Sequence, residues 1–149
     1  KKFNRKKFKL YHPHGSLGNQ LRTVEDLMIS KNGIPFINEN FTMKKALSII
    51  TRKKLGVLIV RDSKKNTTGI ITDGQIRRSN LKKGNLNDLK VKNVMTRNPY
   101  SIDKDVLAAK SLAVMSDNKI TSLCVHKNQN KKKTIGILHI HHIINANIQ

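Results

Sequence analysis

Acidic residues are scarce in this chain. Asp and Glu number 9 against 30 Lys and Arg in 149 residues, for a formal net charge of +21. Tryptophan is absent, aromatics make up 4% and there is a single cysteine, Cys124. One thiol excludes a disulfide framework and any zinc site built on clustered cysteines. No apolar run approaches the roughly 20 residues needed to cross a bilayer, which excludes a membrane-spanning role. No signal-peptide pattern opens the chain, and the first residue is Lys1 rather than Met. The sequence therefore reads as a fragment or processed piece, with a cytoplasmic home expected. What remains is apolar enough to fold: 37% of residues are hydrophobic and 26% charged, and wholesale disorder is not expected.

The charge has two readings. Lys and Arg that neutralise phosphates release counterions, which points to nucleic acid. Yet Lys outnumbers Arg 23 to 7, and Lys, Asn and Ile together make 56 residues. All three have A/T-rich codons, so drift in base composition raises them with no partner involved. The basic residues are spread along the chain, mostly as pairs such as Lys44-Lys45, Lys53-Lys54 and Lys82-Lys83. Base readers add Arg forks and aromatic platforms, which are sparse here. Only non-specific attraction to polyanions is expected.

Residues 1–22 form a basic segment broken by Pro13, Gly15 and Gly18, and read as an arm or linker. Beyond it the chain repeats itself. Asp26-Leu27-Met28 aligns with Asn93-Val94-Met95, and Gly69-Ile70-Ile71 with Gly136-Ile137-Leu138, both at an offset of 67. Between them, Lys45–Ile50 faces Lys110–Met115 and Leu58-Ile59-Val60 faces Leu123-Cys124-Val125 at an offset of 65. The two-residue changes fall in loops, where insertions are tolerated.

Each copy predicts the same elements. A short helical turn carries a Met (Val24–Met28; Val91–Met95), then an extended piece follows (Ile34–Ile37; Pro99–Ile102). An amphipathic helix comes next, with Met43, Ala46, Leu47 and Ile50 matched by Leu107, Ser111, Leu112 and Met115. Thr42 and either Asp103 or Asp105 are the expected N-caps. Two β-rich runs joined by polar hairpin loops follow (Gly56–Arg61 and Thr68–Thr72; Ser122–Lys127 and Thr134–His139), then a closing helix (Gly74–Leu81; His141–Ile148). One such β-α-β-β-α unit is too small to bury both faces of its sheet, so the two must pack together.

This order of motifs, given twice, resembles a tandem pair of CBS domains, often called a Bateman module. The resemblance implies an α/β (α+β) fold of two CBS units, over 23–84 and 85–149, related by a pseudo-twofold. A narrower resemblance is to the D-arabinose 5-phosphate isomerases, which join a sugar isomerase (SIS) domain to a CBS pair. Tyr11-His12-Pro13-His14-Gly15-Ser16-Leu17-Gly18 is similar to their HPxGSLG linker, with His14 where they usually have Gly. Gly69–Arg78 resembles their GIFTDGDLRR segment, and Lys119–Ser122 and Gly136–His141 their RHITS and GVLHMH stretches. The resemblance implies the C-terminal part of such an enzyme, with residues 1–22 a remnant of the end of the SIS domain. Its context would be synthesis of the lipopolysaccharide sugar Kdo, and it implies self-association through the CBS helices.

The same resemblance assigns candidate site residues. The linker histidine, here His12, reaches the isomerase active site in those enzymes, but only with an SIS domain present. Its acid and base partners lie in that domain, so isomerase activity is not expected of this chain alone. No cofactor is expected. CBS pairs commonly hold an adenosine nucleotide by a Thr or Ser and an Asp three residues later, the carboxylate accepting from the ribose hydroxyls. The corresponding positions are Thr72 and Gln75 in the first unit and His139 and His142 in the second. Asp73, next to Thr72, is expected to point away. A phosphorylated small molecule or nucleotide is the expected ligand, with a sugar nucleotide of the same pathway as a second candidate. The His139-Ile140-His141-His142 run invites a metal, but a strand end and a helix start need not bring the rings together, and no metal is expected. A stand-alone nucleotide sensor and a nucleic-acid-binding protein stand as alternative functions.

Overall fold

The computed structural model describes residues 18, 20–82 and 85–148, and the side chains of 80–82 are not considered. The candidate His12 and the linker motif through Leu17 lie outside the described residues. The elements run α1 (Val24–Leu27), β1 (Ile29–Ser30), β2 (Phe36–Asn38), α2 (Met43–Lys53), β3 (Val57–Arg61), β4 (Thr67–Thr72), α3 (Asp73–Lys82), β5 (Thr96–Arg97), β6 (Ser101–Asp103), α4 (Ala108–Asn118), β7 (Ser122–His126), β8 (Gly136–His139) and α5 (Ile140–Ile144). Single 3-10 turns lie at Lys31–Gly33, Leu86–Asp88 and Val91–Asn93.

Among the described residues these strands make two four-stranded sheets, ordered β2-β3-β4-β5 and β1-β8-β7-β6. The registers repeat as the sequence does. Val57 pairs with Thr72 and Ser122 with His139 in the two central antiparallel ladders. Phe36 pairs with Ile59 and Ser101 with Cys124 in the two parallel ones.

Period-two alternation splits each central strand between two cores. Leu58 and Val60 of β3 pack with Met43, Ala46 and Ile76 of the helices. Leu123 and Val125 of β7 pack equivalently with Ala108, Met115 and Ile143. The intervening Val57, Ile59, Cys124 and Ile137 meet, with Ile34, in a third cluster between the sheets. Both faces of β3 and β7 are thus apolar, and this is how two small units gain a sufficient core.

The sequence repeats are not the packing units. β1, from the first repeat, pairs with β8 of the second, and β5, from the second, pairs with β4 of the first. Val24 belongs to the second helical core, whereas Leu86, Val91 and Met95 belong to the first. Glu25 binds Lys104 at 2.8 Å, and Asp105 binds the same ammonium at 3.0 Å. The two carboxylates raise the proton affinity of Lys104. Each lead-in segment therefore closes the other repeat's sheet, an exchange that the sequence reading did not anticipate.

Local signals account for most boundaries. Thr42 caps α2, its Oγ1 accepting from the Lys45 amide at 3.5 Å. The matching helix α4 departs from expectation. Its N-cap is Leu107, which offers no side-chain bond, while Asp103 accepts from the Asp105 amide in the turn before it. Both helices end on a left-handed lysine, Lys54 (φ 56°) and Lys119 (φ 55°). The second closing helix is shorter than expected, Ile140–Ile144 followed by turns.

Two glycines mark where the exchanged segments lock on. A Cβ on Gly69 would lie 2.6 Å from Met95 Sδ and 2.8 Å from the Thr96 carbonyl oxygen. On Gly136 it would collide with Met28 Sδ and lie 3.0 Å from the Ile29 carbonyl. Methionine seats on each glycine across the exchange. Gly69→Ala should therefore destabilise the chain by about 1–3 kcal/mol through overpacking against backbone. Gly74→Ala, in α3 with its nearest neighbour the Arg78 guanidinium at 3.3 Å, should be neutral or stabilising. Denaturant midpoints at constant m-value measure both.

Candidate functional site

The C-terminal ends of β4 and β8 turn directly into α3 and α5. Thr72 and His139, 67 residues apart, stand at these junctions. Both, with Gln75 and His142, line one cleft of about 900 Å³ between the two repeats. The four predicted ligand positions thus converge on a single space. Its remaining walls include the segment after β5 (Asn98, Pro99, Tyr100), the loops entering β3 and β7, and α3.

The cleft is electropositive. Among the described residues Lys54, Arg77, Arg78, Arg97 and Lys119 line it, against one carboxylate, Asp73. Asp73 was expected to point away; it is among the residues that line the cleft. Its carboxylate lies 2.8 Å from where a Cβ on Gly56 would stand, and Gly56 (φ 73°) leaves that room. The amide of Asp73 donates to the Gly56 carbonyl at 3.1 Å, which fixes the junction. Helical spacing puts Arg77 and Arg78 one turn beyond Asp73 and Gly74.

At each junction the paired candidate residues bond to one another's backbone. The Gln75 amide N–H donates to Thr72 Oγ1 at 3.3 Å, and the Thr72 N–H to Gln75 Oε1 at 3.4 Å. The Gln75 side-chain Nε2 also donates to the Val94 carbonyl at 2.8 Å and to Thr96 Oγ1 at 2.7 Å. Gln75 thereby ties α3 to the exchanged lead-in of the second repeat. A carboxylate cannot donate to a carbonyl, so glutamine has a structural task here that an acid would fail.

In the second repeat, the His139 N–H donates to His142 Nδ1 at 3.2 Å and the His141 N–H to His139 Nδ1 at 3.2 Å. The His139 ring stacks on His141 at 4.8 Å and meets His142 edge-on at 6.1 Å. The three imidazoles do gather, but two Nδ1 atoms are committed to backbone. Among the described residues no group of three His, Cys, Asp or Glu is placed to hold a metal ion. Burial, then the neighbouring histidines, holds His139 below its ordinary value of 6.5, and His142 is lowered likewise. Both rings stay neutral at pH 7, which the two capping bonds require.

Cys124 is 1% exposed and burial pushes its thiol up to about 11, so it is a packing residue without nucleophilic character.

The structure is a pair of interlocked α/β repeats with a cationic cleft between them. The chain belongs to the CBS domain family, whose profile matches residues 24–82 and 91–148, once in each repeat. Arabinose 5-phosphate isomerase KdsD of Salmonella typhi is 34% identical over 147 residues, spanning 98% of this chain but 44% of that protein. The chain is thus less than half the length of that relative. The CBS domain pair of protein MJ0100, in complex with 5′-methylthioadenosine and S-adenosyl-L-methionine, superposes with a TM-score of 0.74 at 20% identity, covering 84% of this chain and 94% of that one. CBSX2 in complex with AMP gives 0.70 at 21% identity, covering 84% and 95%. At these identities the two structures share the fold. Among the described residues no helix is long and apolar enough to cross a membrane.

Two outcomes follow from the junctions. Gln75→Glu should lower stability by about 1–3 kcal/mol, because it sets a carboxylate against the Val94 carbonyl; urea unfolding measures it. Folding also lowers the proton affinity of His139 and His142, so the unfolded chain binds more protons in acid. Their contribution is complete above the ordinary imidazole value and is lost as pH falls through it and then through the lower folded values. His142→Gln, which keeps an acceptor for the His139 amide, should flatten part of the fall in melting temperature between neutral and acid pH.

Proposed function

We propose that this chain is the regulatory and scaffolding CBS pair of an arabinose-5-phosphate isomerase-like protein, and that its inter-repeat cleft takes a small phosphorylated ligand. The observation that carries this reading is the cleft itself: among the described residues, five cations and one carboxylate around about 900 Å³, walled by both repeats. Such a field favours anions and concentrates them, and the volume suits a nucleotide-sized molecule. The match to KdsD supports the protein context and, with it, a place in Kdo synthesis in the cytoplasm. Self-association through the helical faces belongs to the same reading. The chemistry of sugar isomerisation would lie with an SIS domain and His12; this chain by itself is a binding module. Its two glutamates fall within the CBS repeats, and Glu25 is paired with Lys104.

An adenine nucleotide is the second reading, favoured by the adenosyl ligands named with the two solved neighbours. Gln75 cannot take the ribose diol without releasing Val94 and Thr96. Asp73 is the carboxylate that lines the cleft, and it would take that part.

A thermal-shift screen tests both readings, with AMP, ADP, ATP, arabinose 5-phosphate and CMP-Kdo against a polyanion control. One phosphorylated compound should give a saturable rise in melting temperature. Arg77→Gln with Arg78→Gln should weaken it about tenfold or more, a loss near 1.4 kcal/mol. A saturable response to an adenine nucleotide, reduced by Asp73→Asn, would establish the second reading. Response to the polyanion alone would sink both.

A further inference from the structure

The two hairpin loops, distant in sequence, lie side by side. The Thr67 amide donates to the Lys132 carbonyl at 2.8 Å, Lys133 Nζ to the Lys64 carbonyl at 3.1 Å, and the Thr67 and Thr134 hydroxyls meet at 2.6 Å. Asp62 folds the first loop back on itself, accepting from the amides of Lys64 and Asn66 at 2.9 Å each. Those bonds hold it below its ordinary value, ionised and occupied within its own loop. The charge of Lys133 in the second loop adds to this lowering, so that lysine is partly offset by Asp62, while Lys131 and Lys132 line the cavity described next.

Beneath the loops lies a cavity of about 340 Å³, separate from the cleft. Its polar lining residues are Lys131, Lys132, Thr67, Ser101 and Asn98, the Thr67 hydroxyl being shared with Thr134. Its apolar wall is Pro99, buried Cys124 and the Tyr100 ring, which is 54% exposed. Among the described residues no carboxylate lines it. Ser101 Oγ lies 2.5 Å from Nδ1 of His126, a buried ring. When that nitrogen carries the proton, Ser101 accepts from it and its own O–H is free to donate into the cavity.

We propose that this cavity is a second binding site, for a compact phosphate monoester of monosaccharide size. Two lysines and the Ser101 hydroxyl suit a phosphate dianion. The volume exceeds a bare phosphate and stands at the low end for ligand pockets. The tyrosine face and Pro99 supply a surface for a sugar ring. Asn98, Pro99 and Tyr100 line the cleft as well. One segment is a wall of both spaces, so occupancy of the small site bears directly on the shape of the large one. This site stands whatever the cleft holds, since the cleft's arginines take no part in it.

Calorimetric titration of the full chain tests it, with ribose 5-phosphate as probe and ribose and inorganic phosphate as controls. Ribose 5-phosphate should bind saturably and more tightly than either control. Lys131→Gln with Lys132→Gln should weaken it at least tenfold. Arg77→Gln with Arg78→Gln in the cleft, and Lys64→Gln with Lys65→Gln on the neighbouring loop, should each change it less than about twofold. All six positions are exposed, so these variants are expected to fold, and the melting temperature verifies it. Equal losses from all three pairs would show general charge attraction and overturn the site. So would loss confined to the arginine pair, inorganic phosphate binding as tightly as the sugar phosphate, or no saturable binding at millimolar concentration. The cleft's own ligand is read from the arginine pair in the separate screen, so either site can fail alone.

Discussion

The exchange of lead-in segments is the constraint on which the rest of this molecule depends. β1 closes the second sheet and β5 the first, and each brings a methionine that seats on a glycine of the other repeat, Met28 on Gly136 and Met95 on Gly69. Neither repeat owns a complete core. The first helical core needs Leu86, Val91 and Met95, and the second needs Val24. The third cluster exists only when the two sheets face each other. A single repeat would leave a sheet edge and an apolar sheet face open to water. The repeats therefore stand or fall together, and the space between them exists only when both are folded.

That interlock also builds the cleft. β5 lies against Gly69 and Ile70, so its following residues, Asn98 to Tyr100, lie across from the β4–α3 junction. Gln75 fastens the arrangement through Val94 and Thr96. The substitution of an amide for an acid at this position thus has a physical reason: the donor holds the exchanged segment. Five cations sharing one cavity repel each other, which works against the empty folded state, and an anion relieves that repulsion as it binds. A ligand of the right sign should stabilise this fold beyond what its own contacts supply.

Much of the fold was legible in the sequence because the signals were long or doubled. The helices Met43–Lys53 and Ala108–Asn118 carry clear apolar spacing, and the runs that became β3, β4, β7 and β8 are β-rich and flanked by polar loops. The offsets of 65 and 67 reappear as strand registers. What was missed has no local signature. Strands of two residues, Ile29–Ser30 and Thr96–Arg97, cannot show a period, and only tertiary pairing defines them. Asp103 and Asp105 looked like caps for α4, yet their backbone positions belong to the preceding turn, and Leu107 takes the cap without a side-chain bond. The resemblance to CBS pairs, carried over position by position, pointed to Thr72, Gln75, His139 and His142. It could not reveal that one cleft gathers all four, nor that Asp73 lines it too, with its carboxylate in the room left by the missing Cβ of Gly56.

The excess of lysine illustrates why composition and geometry must be separated. A base-composition drift spreads lysine over every exposed face, and many lysines here do lie on such faces. Drift gives no reason for two hairpin loops to hold each other through Thr67 and Lys132 while Asp62 is kept occupied within its own loop. Nor does it account for arginine, the rarer cation in this chain, supplying three of the five cleft charges. Arginine's planar fork suits phosphate better than a lysine does, and Arg77, Arg78 and Arg97 line the cleft together. The same net charge therefore contains two populations: a diffuse one that raises solubility and weak polyanion affinity, and a placed one that faces the cavities. Only the second is tied to the fold, because only it depends on the repeats being interlocked.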